Sequence, residues 1–500
     1  MPTIHRRSYY GTLVLLMILA LVTACKSTPV VPAFGNEELP NDYSELSWEE
    51  AFSTLSRQLA TEYAFTEWKG IDWDVLFETY NPQIIEAQAS QDFPAYYLAL
   101  RRYLHKIPDR HVSINNIAAI DDQYIGGGFG FSIAHLDDTS VIATWVEEQG
   151  EAWNAGMRAG CEILSWDGIP IATAIDAVLP IFTSNCATGE DLHLAQQQYL
   201  VRAPIGEQHQ ATFRSIEGDT IHTVQVSAYD DNRASLSKGY PDSVVSDRIR
   251  KAILEIETDE PMPRSMVETE MLAHDIAYIK VWGLLDADLQ MTGKVLSTVT
   301  LFEQAVATAV EQKATGIILD IRNNIGGMDQ MAADLLGCFY SERTFYEYLN
   351  AYNPETGTWE LLPSSEENGK QPVFIEPSAV QYSGPIIALV NSHCVSSGEG
   401  IAMGIRNLPN GEVLGFLGTN GSFGLASGIA AMPGGLVVHW PNGQSLDENH
   451  KIQLDSRNGI GGAQPTIRIP MTKEHALSIA QGVDVELLKA IKILSFSKEP

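Results

Sequence analysis

The sequence predicts a multidomain α/β chain, and three stretches of different periodicity carry that expectation. Residues 47 to 107 repeat apolar and aromatic residues at helical spacing, as in Trp48-Glu49-Glu50-Ala51-Phe52 and Tyr96-Tyr97-Leu98-Ala99-Leu100. Residues from Gly126 to about Asp231 read as a small β-rich module with glycine turns. From about Met266 onward strands alternate with helices, the pattern of an α/β core.

Each element of that core can be named. Ala277 to Val281 is a predicted strand, Leu296 to Glu311 a helix, Gly316 to Asp320 a buried strand, Met328 to Cys338 a helix, and Ile386 to Val390 a second buried strand. Small and apolar residues at helical spacing follow from Gly398 to Ile405. The charged segment from Asn232 to Pro263 reads as a linker.

Five hundred residues that are 45% hydrophobic can bury several cores. Lys and Arg number 32 against 63 Asp and Glu, a net charge of −31 that repels phosphate backbones and argues against nucleic acid as a partner.

The N-terminus reads as an export signal. His5-Arg6-Arg7 is basic, Leu13 to Leu21 is apolar but too short for a comfortable membrane span, and Val22-Thr23-Ala24-Cys25 ends in small residues before a cysteine. That ending resembles a bacterial lipobox, which implies lipid on Cys25 and an extracytoplasmic, membrane-anchored lipoprotein of the cell envelope. Lys26 to Glu45 looks like a flexible tether. Cys161, Cys186, Cys338 and Cys394 show no Cys-x-x-Cys spacing, so a zinc site is not expected, and buried free thiols are the default reading.

Two loops carry chemistry. In Asn391-Ser392-His393-Cys394-Val395-Ser396-Ser397-Gly398-Glu399 a strand gives way to a helix, where a serine exposes its hydroxyl and the next N–H groups point at what it attacks. In Asp320-Ile321-Arg322-Asn323-Asn324-Ile325-Gly326-Gly327 paired glycines after a strand let the backbone approach a ligand, as an oxyanion hole requires. Taken alone, a serine at such a place is more often a helix cap, and such glycines more often form a tight loop. Together the two stretches resemble the tail-specific, or C-terminal-processing, serine peptidases, the family that includes the tricorn core protease. The resemblance covers nearly all of the mature chain.

The resemblance implies a domain plan: signal peptide 1–25, tether 26–45, N-terminal helical domain 46–118, PDZ-like domain 119–232, linker 233–263, and a crotonase-like α/β catalytic core over 264–500. Within the second domain, Gly128-Phe129-Gly130-Phe131 resembles the carboxylate-binding loop of PDZ modules, and Ala155 to Gly168 resembles their strand-turn-strand signature. Consecutive loop N–H groups there would hold a peptide's terminal carboxylate.

It also implies Ser396 as nucleophile, with the N–H of Ser397 and of Gly326 or Gly327 as oxyanion hole. Many members use a lysine 25 residues after the serine, but that position is Gly421 here, and no lysine occurs between Ser396 and Lys451. The tricorn-like branch uses an upstream histidine, a better base at neutral pH because an unperturbed imidazole titrates near about 6.5. His111 lies in Asp109-Arg110-His111-Val112, where similar peptidases have Asp-Gly-His-Val or Asp-Gly-His-Thr, so Arg110 replaces a glycine. His393 is the competitor.

The expected glutamate that orients the base is missing before Gly462-Ala463-Gln464-Pro465. Asp455, Asp447, Glu448 and Asp109 are nearby in sequence, and the sequence does not choose among them. Cys394 is read as packing and Glu399 as a brace for the elbow.

The implied function is a serine endopeptidase that recognises polypeptide C-termini and needs no metal or organic cofactor. A catalytically silent peptide-binding scaffold of the same fold is the alternative from another class, and an esterase or acyltransferase is the alternative among enzymes. Polypeptide substrates and the membrane are the implied partners.

Overall fold

The computed structural model describes residues 41–241, 265–289, 292–365 and 369–496. Cys25, the rest of the signal, and most of the tether and of the linker lie outside the described residues.

Four helices open the described chain: α1 (Trp48–Glu62), α2 (Thr66–Lys69), α3 (Trp73–Ser90) and α4 (Phe93–Leu104). Each long one has a side-chain start signal. Ser47 and Glu50 form a capping box on α1, and Asp72 and Asp92 cap α3 and α4 by accepting from Val75 and Ala95 N–H. Their inward faces bury aromatics, with Phe52 and Tyr103 edge to face at 4.9 Å.

This core is not confined to residues 46–118. Ala430, Met432, Val438 and Trp440, from the antiparallel strands Gly428–Met432 and Leu436–Trp440, complete it. The short strand Ser113–Ile114 pairs with the second of these, Ser113 opposite His439. The helical unit and the C-terminal third therefore share one interior. Periodicity within residues 46–118 could not reveal this, because the partners are more than 300 residues away.

The middle module is an antiparallel sheet of Phe131–His135, Val141–Val146, Glu162–Trp166, Gln208–Arg214 and Ile221–Ser227, with Ile169–Pro170 paired to its third strand. Phe129 and Phe131 are buried in its interior beside Trp166. The first strand lies at the edge, and its His135 N–H donates to Gln197 Oε1 of the helix Gly189–Leu200 at 2.8 Å.

The C-terminal unit is built on a mixed sheet in the order β1 (Val267–Leu272), β2 (Ile276–Val281), β3 (Gly316–Asp320), β4 (Ile386–Leu389), β5 (Gly411–Gly415) and β6 (Ile467–Arg468). β1 runs antiparallel to β2, and the remaining pairs are parallel. β3 and β4 are buried along their whole length, which is why they read as unbroken apolar runs. Ile317, Leu319, Ile386 and Ala388 face the helices α5 (Thr298–Glu311), α6 (Asp329–Leu336) and α7 (Ser397–Arg406). Ile318, Ile387 and Leu389 face the helix Val485–Phe496 on the other side.

The sheet is fastened to that last helix by charge. Arg322, fully buried just past β3, donates to Asp320, to Asp484 at 2.8 Å and to Glu486 at 2.8 Å. Cys161, Cys338 and Cys394 are buried and Cys186 is partly buried, all four as free thiols. Among the described residues no helix is long and apolar enough to cross a membrane.

Candidate active site

The loops that leave the carboxyl ends of β3 and β4 lie against each other. β4 ends at Leu389, and α7 begins at Ser397, so Ser396 occupies the turn between them with φ 57° and ψ −137°. Non-glycine residues avoid that conformation, at a cost of about 1–3 kcal/mol, and surrounding bonds must hold it. Val395 N–H donates to Asn324 O at 3.0 Å, Ser396 N–H to Ser422 O at 3.0 Å, and Glu399 N–H to Ser396 O at 2.8 Å.

The β3 loop closes on the same serine. At Gly326 a Cβ atom would lie 2.5 Å from Ser396 Cβ and 2.8 Å from the Val395 carbonyl oxygen, so no side chain is tolerated there. At Gly327, with φ +142°, a Cβ would strike the Leu284 carbonyl oxygen at 2.1 Å. Asn324 orders this loop: its side-chain oxygen accepts from Gly326 N–H at 2.9 Å, and its amide donates to Val281 O at 2.9 Å.

The Gly326 bond corrects the expectation for the oxyanion hole. With its N–H on Asn324 Oδ1, Gly326 has no donor to offer. The N–H groups of Gly327 and Ser397 have no acceptor among the described residues, and Ser397 Oγ ties the two positions together, lying 2.9 Å from Gly327 O and 2.6 Å from Asp329 Oδ1.

Ser396 Oγ makes no hydrogen bond among the described residues. His111 reaches this region through the loop after β5: Arg110 N–H donates to Ser422 Oγ at 3.0 Å, and Ser422 O is the acceptor for Ser396 N–H. Glu399, fully buried on the first turn of α7, shapes that loop by accepting from Thr419 Oγ1 at 2.6 Å, Gly421 N–H at 2.7 Å and Ser422 N–H at 2.9 Å. Gly421 has φ +83°, and a Cβ there would meet Thr188 Cγ2 at 3.0 Å, Gly462 N at 3.2 Å and Ser456 Cβ at 3.2 Å. A side chain at this position is strained by the left-handed backbone and crowds those neighbours by a few tenths of an ångström.

The acid beside His111 is Asp109. Its Oδ1 lies 3.4 Å from His111 Nδ1 and accepts from His111 N–H at 3.0 Å, while Tyr63 donates to Oδ2 at 2.9 Å. Burial opposes ionisation of Asp109, but Lys69 and His111 outweigh it and hold its carboxyl down at about 2. Asp455 instead lies 2.6 Å from Lys69 Nζ and accepts from Phe423 N–H at 2.9 Å. Burial pushes Asp455 up to about 6, with Lys69 pulling the other way. Burial likewise works against the charge of Lys69, and Asp455 and Asp109 override it, so its pKa is raised.

Asp447 and Glu448 do not enter the site. Asp447 closes a turn by accepting from Asn449 and Lys451 N–H, both at 2.8 Å, and Glu448 is exposed. His393 is buried with Nδ1 3.2 Å from Asn323 Oδ1, on the side of the loop that Asn323 and Asn391 lock together.

Sequence reasoning missed Lys69, Tyr63, Asn324, Asp329 and Ser422. Only Asn324 carried a local signal, as a small amide in a turn after a strand. Lys69 had none, since Ser456, which it also bonds, is 387 residues away.

Residues 275–469 match peptidase family S41, and residues 44–95 match the tricorn protease C1 domain. Residues 275–469 are a peptidase S41 domain, and the chain is a serine-type peptidase. No curated protein matches it. Among solved structures the S41 peptidase resembles mature CPAF, with 13% identity over 91% of this chain and 98% of that one and a TM-score of 0.62. It is similar also to mature CPAF complexed with lactacystin, with 13% identity over 90% and 98% of the two chains and a TM-score of 0.60. A CPAF s499a mutant gives 14% identity over 90% and 97% and the same TM-score of 0.60. At these identities the likeness is one of fold.

Proposed function

We propose that this peptidase cleaves polypeptides by acyl transfer through Ser396 and His111, with Asp109 orienting the base. The observation that carries the reading is the strained Ser396 elbow set against two acceptor-free N–H groups, at Gly327 and Ser397, and tied through Ser422 to the segment bearing His111.

In this reading Ser396 Oγ attacks the scissile carbonyl carbon while His111 Nε2 takes the hydroxyl proton. Asp109 accepts from Nδ1–H and stabilises the imidazolium. The tetrahedral oxyanion is held by Gly327 and Ser397 N–H, preorganised donors of a kind worth about 10²–10³ in kcat each. Collapse breaks the C–N bond, and the leaving amine takes the proton from His111. Water, deprotonated by the same imidazole, then hydrolyses the acyl-enzyme. The Ser396 Oγ contact to His111 tightens as substrate binds, as catalytic hydrogen bonds commonly do.

Substrate C-termini are bound by the middle module, which we read as PDZ-like. Among the described residues the N–H groups of Phe129 and Gly130 have no acceptor, which supports a carboxylate at the Gly128-Phe129-Gly130-Phe131 loop, whereas Gly128 N–H is taken by Tyr229 O at 2.9 Å. The Val-Thr-Ala-Cys ending of the signal supports lipidation at Cys25 and an extracytoplasmic, membrane-anchored enzyme.

A serine-reactive fluorophosphonate probe followed by peptide mapping tests the chemistry. Label on Ser396, together with peptide-bond cleavage of an unfolded protein seen by mass spectrometry, is the expected result. No label in a folded protein would favour the silent scaffold, and label with ester but no peptide turnover would favour an esterase.

A further inference from the structure

Lys69 is a buried cation beside the site that the mechanism does not use. Four oxygens surround its Nζ: Asp455 Oδ1 at 2.6 Å, Pro108 O at 2.7 Å, Ser456 Oγ at 3.1 Å and Asp109 Oδ2 at 3.7 Å. Its side chain is 1% exposed, and both carboxylates are fully buried. The lysine ends the one-turn helix α2 of the N-terminal unit, whereas Asp455 and Ser456 come from the segment between strand Gly443–Leu446 and β6.

One cation therefore serves two carboxylates. With Lys69 charged and both acids ionised, this group carries a net −1 directly behind His111. When His111 takes the proton of Ser396 Oγ, the sum of the four charges becomes zero. A buried cluster that reaches neutrality as the imidazolium forms stabilises that imidazolium.

We propose that Lys69 is a positioning residue of the reaction, which, shared between Asp109 and Asp455, holds the Asp109 carboxylate behind His111 and sets the net charge against which the imidazolium forms. This rests on His111 being the base. Lys69 is not itself a base, because its oxygen neighbours all stabilise the ammonium form.

The other groups facing this cluster are fixed in sense. Tyr63 hydroxyl donates to Asp109, and Phe423 N–H donates to Asp455. Glu399 lies in the field of Lys69 and Asp455, Asp329 lies in the field of His111, and Arg110 precedes His111 with its N–H on Ser422. Removing the Lys69 cation leaves the acids unbalanced, so His111 binds a proton more readily. Removing the Asp455 charge does the reverse.

The test is the pH profile of kcat/KM on a peptide substrate for the full chain and its Lys69→Met, Lys69→Arg and Asp455→Asn variants, with thermal unfolding as the check on folding. Lys69→Met should lower kcat about tenfold or more with KM within about twofold, and should move the acid limb upward by about half a pH unit or more. Lys69→Arg should restore the limb and part of kcat. Asp455→Asn should move the limb downward. A folded Lys69→Met enzyme with an unmoved limb overturns the proposal, and if that variant does not fold, an unmoved limb in Asp455→Asn overturns it. A His111→Ala enzyme with near-normal turnover overturns the base assignment as well, whereas unmoved limbs beside an inactive His111→Ala enzyme overturn only the role of Lys69.

Discussion

Ser396 donates its backbone N–H to the carbonyl oxygen of Ser422 at 3.0 Å, and the hydroxyl of the same Ser422 accepts from Arg110 N–H at 3.0 Å. One buried residue of the loop after β5 thus sets the separation between the serine elbow and the segment that carries His111. Ser422→Ala keeps the first bond and removes the second, leaving Arg110 N–H without its acceptor. It should cost about 1–3 kcal/mol of stability by thermal or urea unfolding. It should also lower kcat by about tenfold with KM little changed, because a misplaced base affects the transition state more than binding.

Ser396→Ala should abolish peptide cleavage, and His111→Ala should reduce kcat/KM on the order of a thousandfold or more. The double variant should be no worse than Ser396→Ala, since nucleophile and base act as one unit. Single-turnover assays with a fluorogenic peptide would measure all three. Near-normal activity in His111→Ala beside an inactive Ser396→Ala enzyme would reassign the base.

Gly421→Lys should not create a serine–lysine dyad. Position 421 has φ +83°, and its Cβ would stand 3.0 Å from Thr188 Cγ2. The strain of a left-handed lysine, with the displacement of the 418–424 loop, should destabilise the protein by about 1–3 kcal/mol and lower activity. A gain in kcat, or a new alkaline limb in the pH profile, would contradict this reading of the loop.

Acid should attack the sheet through Asp320. Burial disfavours its charge, but Arg322 and Lys280 outweigh burial and depress its pKa far below the ordinary carboxylate range. A depressed folded-state pKa means that the unfolded chain binds this proton first. Its stabilisation is present above the unfolded value, about 3.9, and is lost as pH falls below it. Asp320→Asn should cost about 3–5 kcal/mol at pH 7, since it leaves Arg322 and Lys280 short of a buried partner. It should also flatten the loss of stability between about pH 4 and 2, as followed by urea unfolding across that range.

Much of the architecture was legible because its causes are local. Gly316–Asp320 and Ile386–Leu389 are strands buried on both faces, so their unbroken apolar runs identify them directly. The helical stretch before residue 107 announces itself by aromatic spacing and by Ser47, Asp72 and Asp92 at helix starts. The serine turn and paired glycines were visible for the same reason: an elbow and a close backbone approach demand particular residues at adjacent positions.

The sequence by itself therefore determined the elements, the strand-turn-helix at Ser396, the glycines opposite it and the loss of the family lysine at Gly421. Only the tertiary structure decided which glycine keeps a free N–H, which acid faces His111, and where the helical unit ends. Each of these depends on a partner distant along the chain or on the direction of a single bond. Asn324 takes the Gly326 N–H, Asp455 pairs closely with Lys69 while Asp109 lies beside His111, and Trp440 completes an interior begun at Phe52. Hydrogen bonds and charges act over a few ångströms of space, whatever the distance in sequence, and periodicity records only neighbours along the chain.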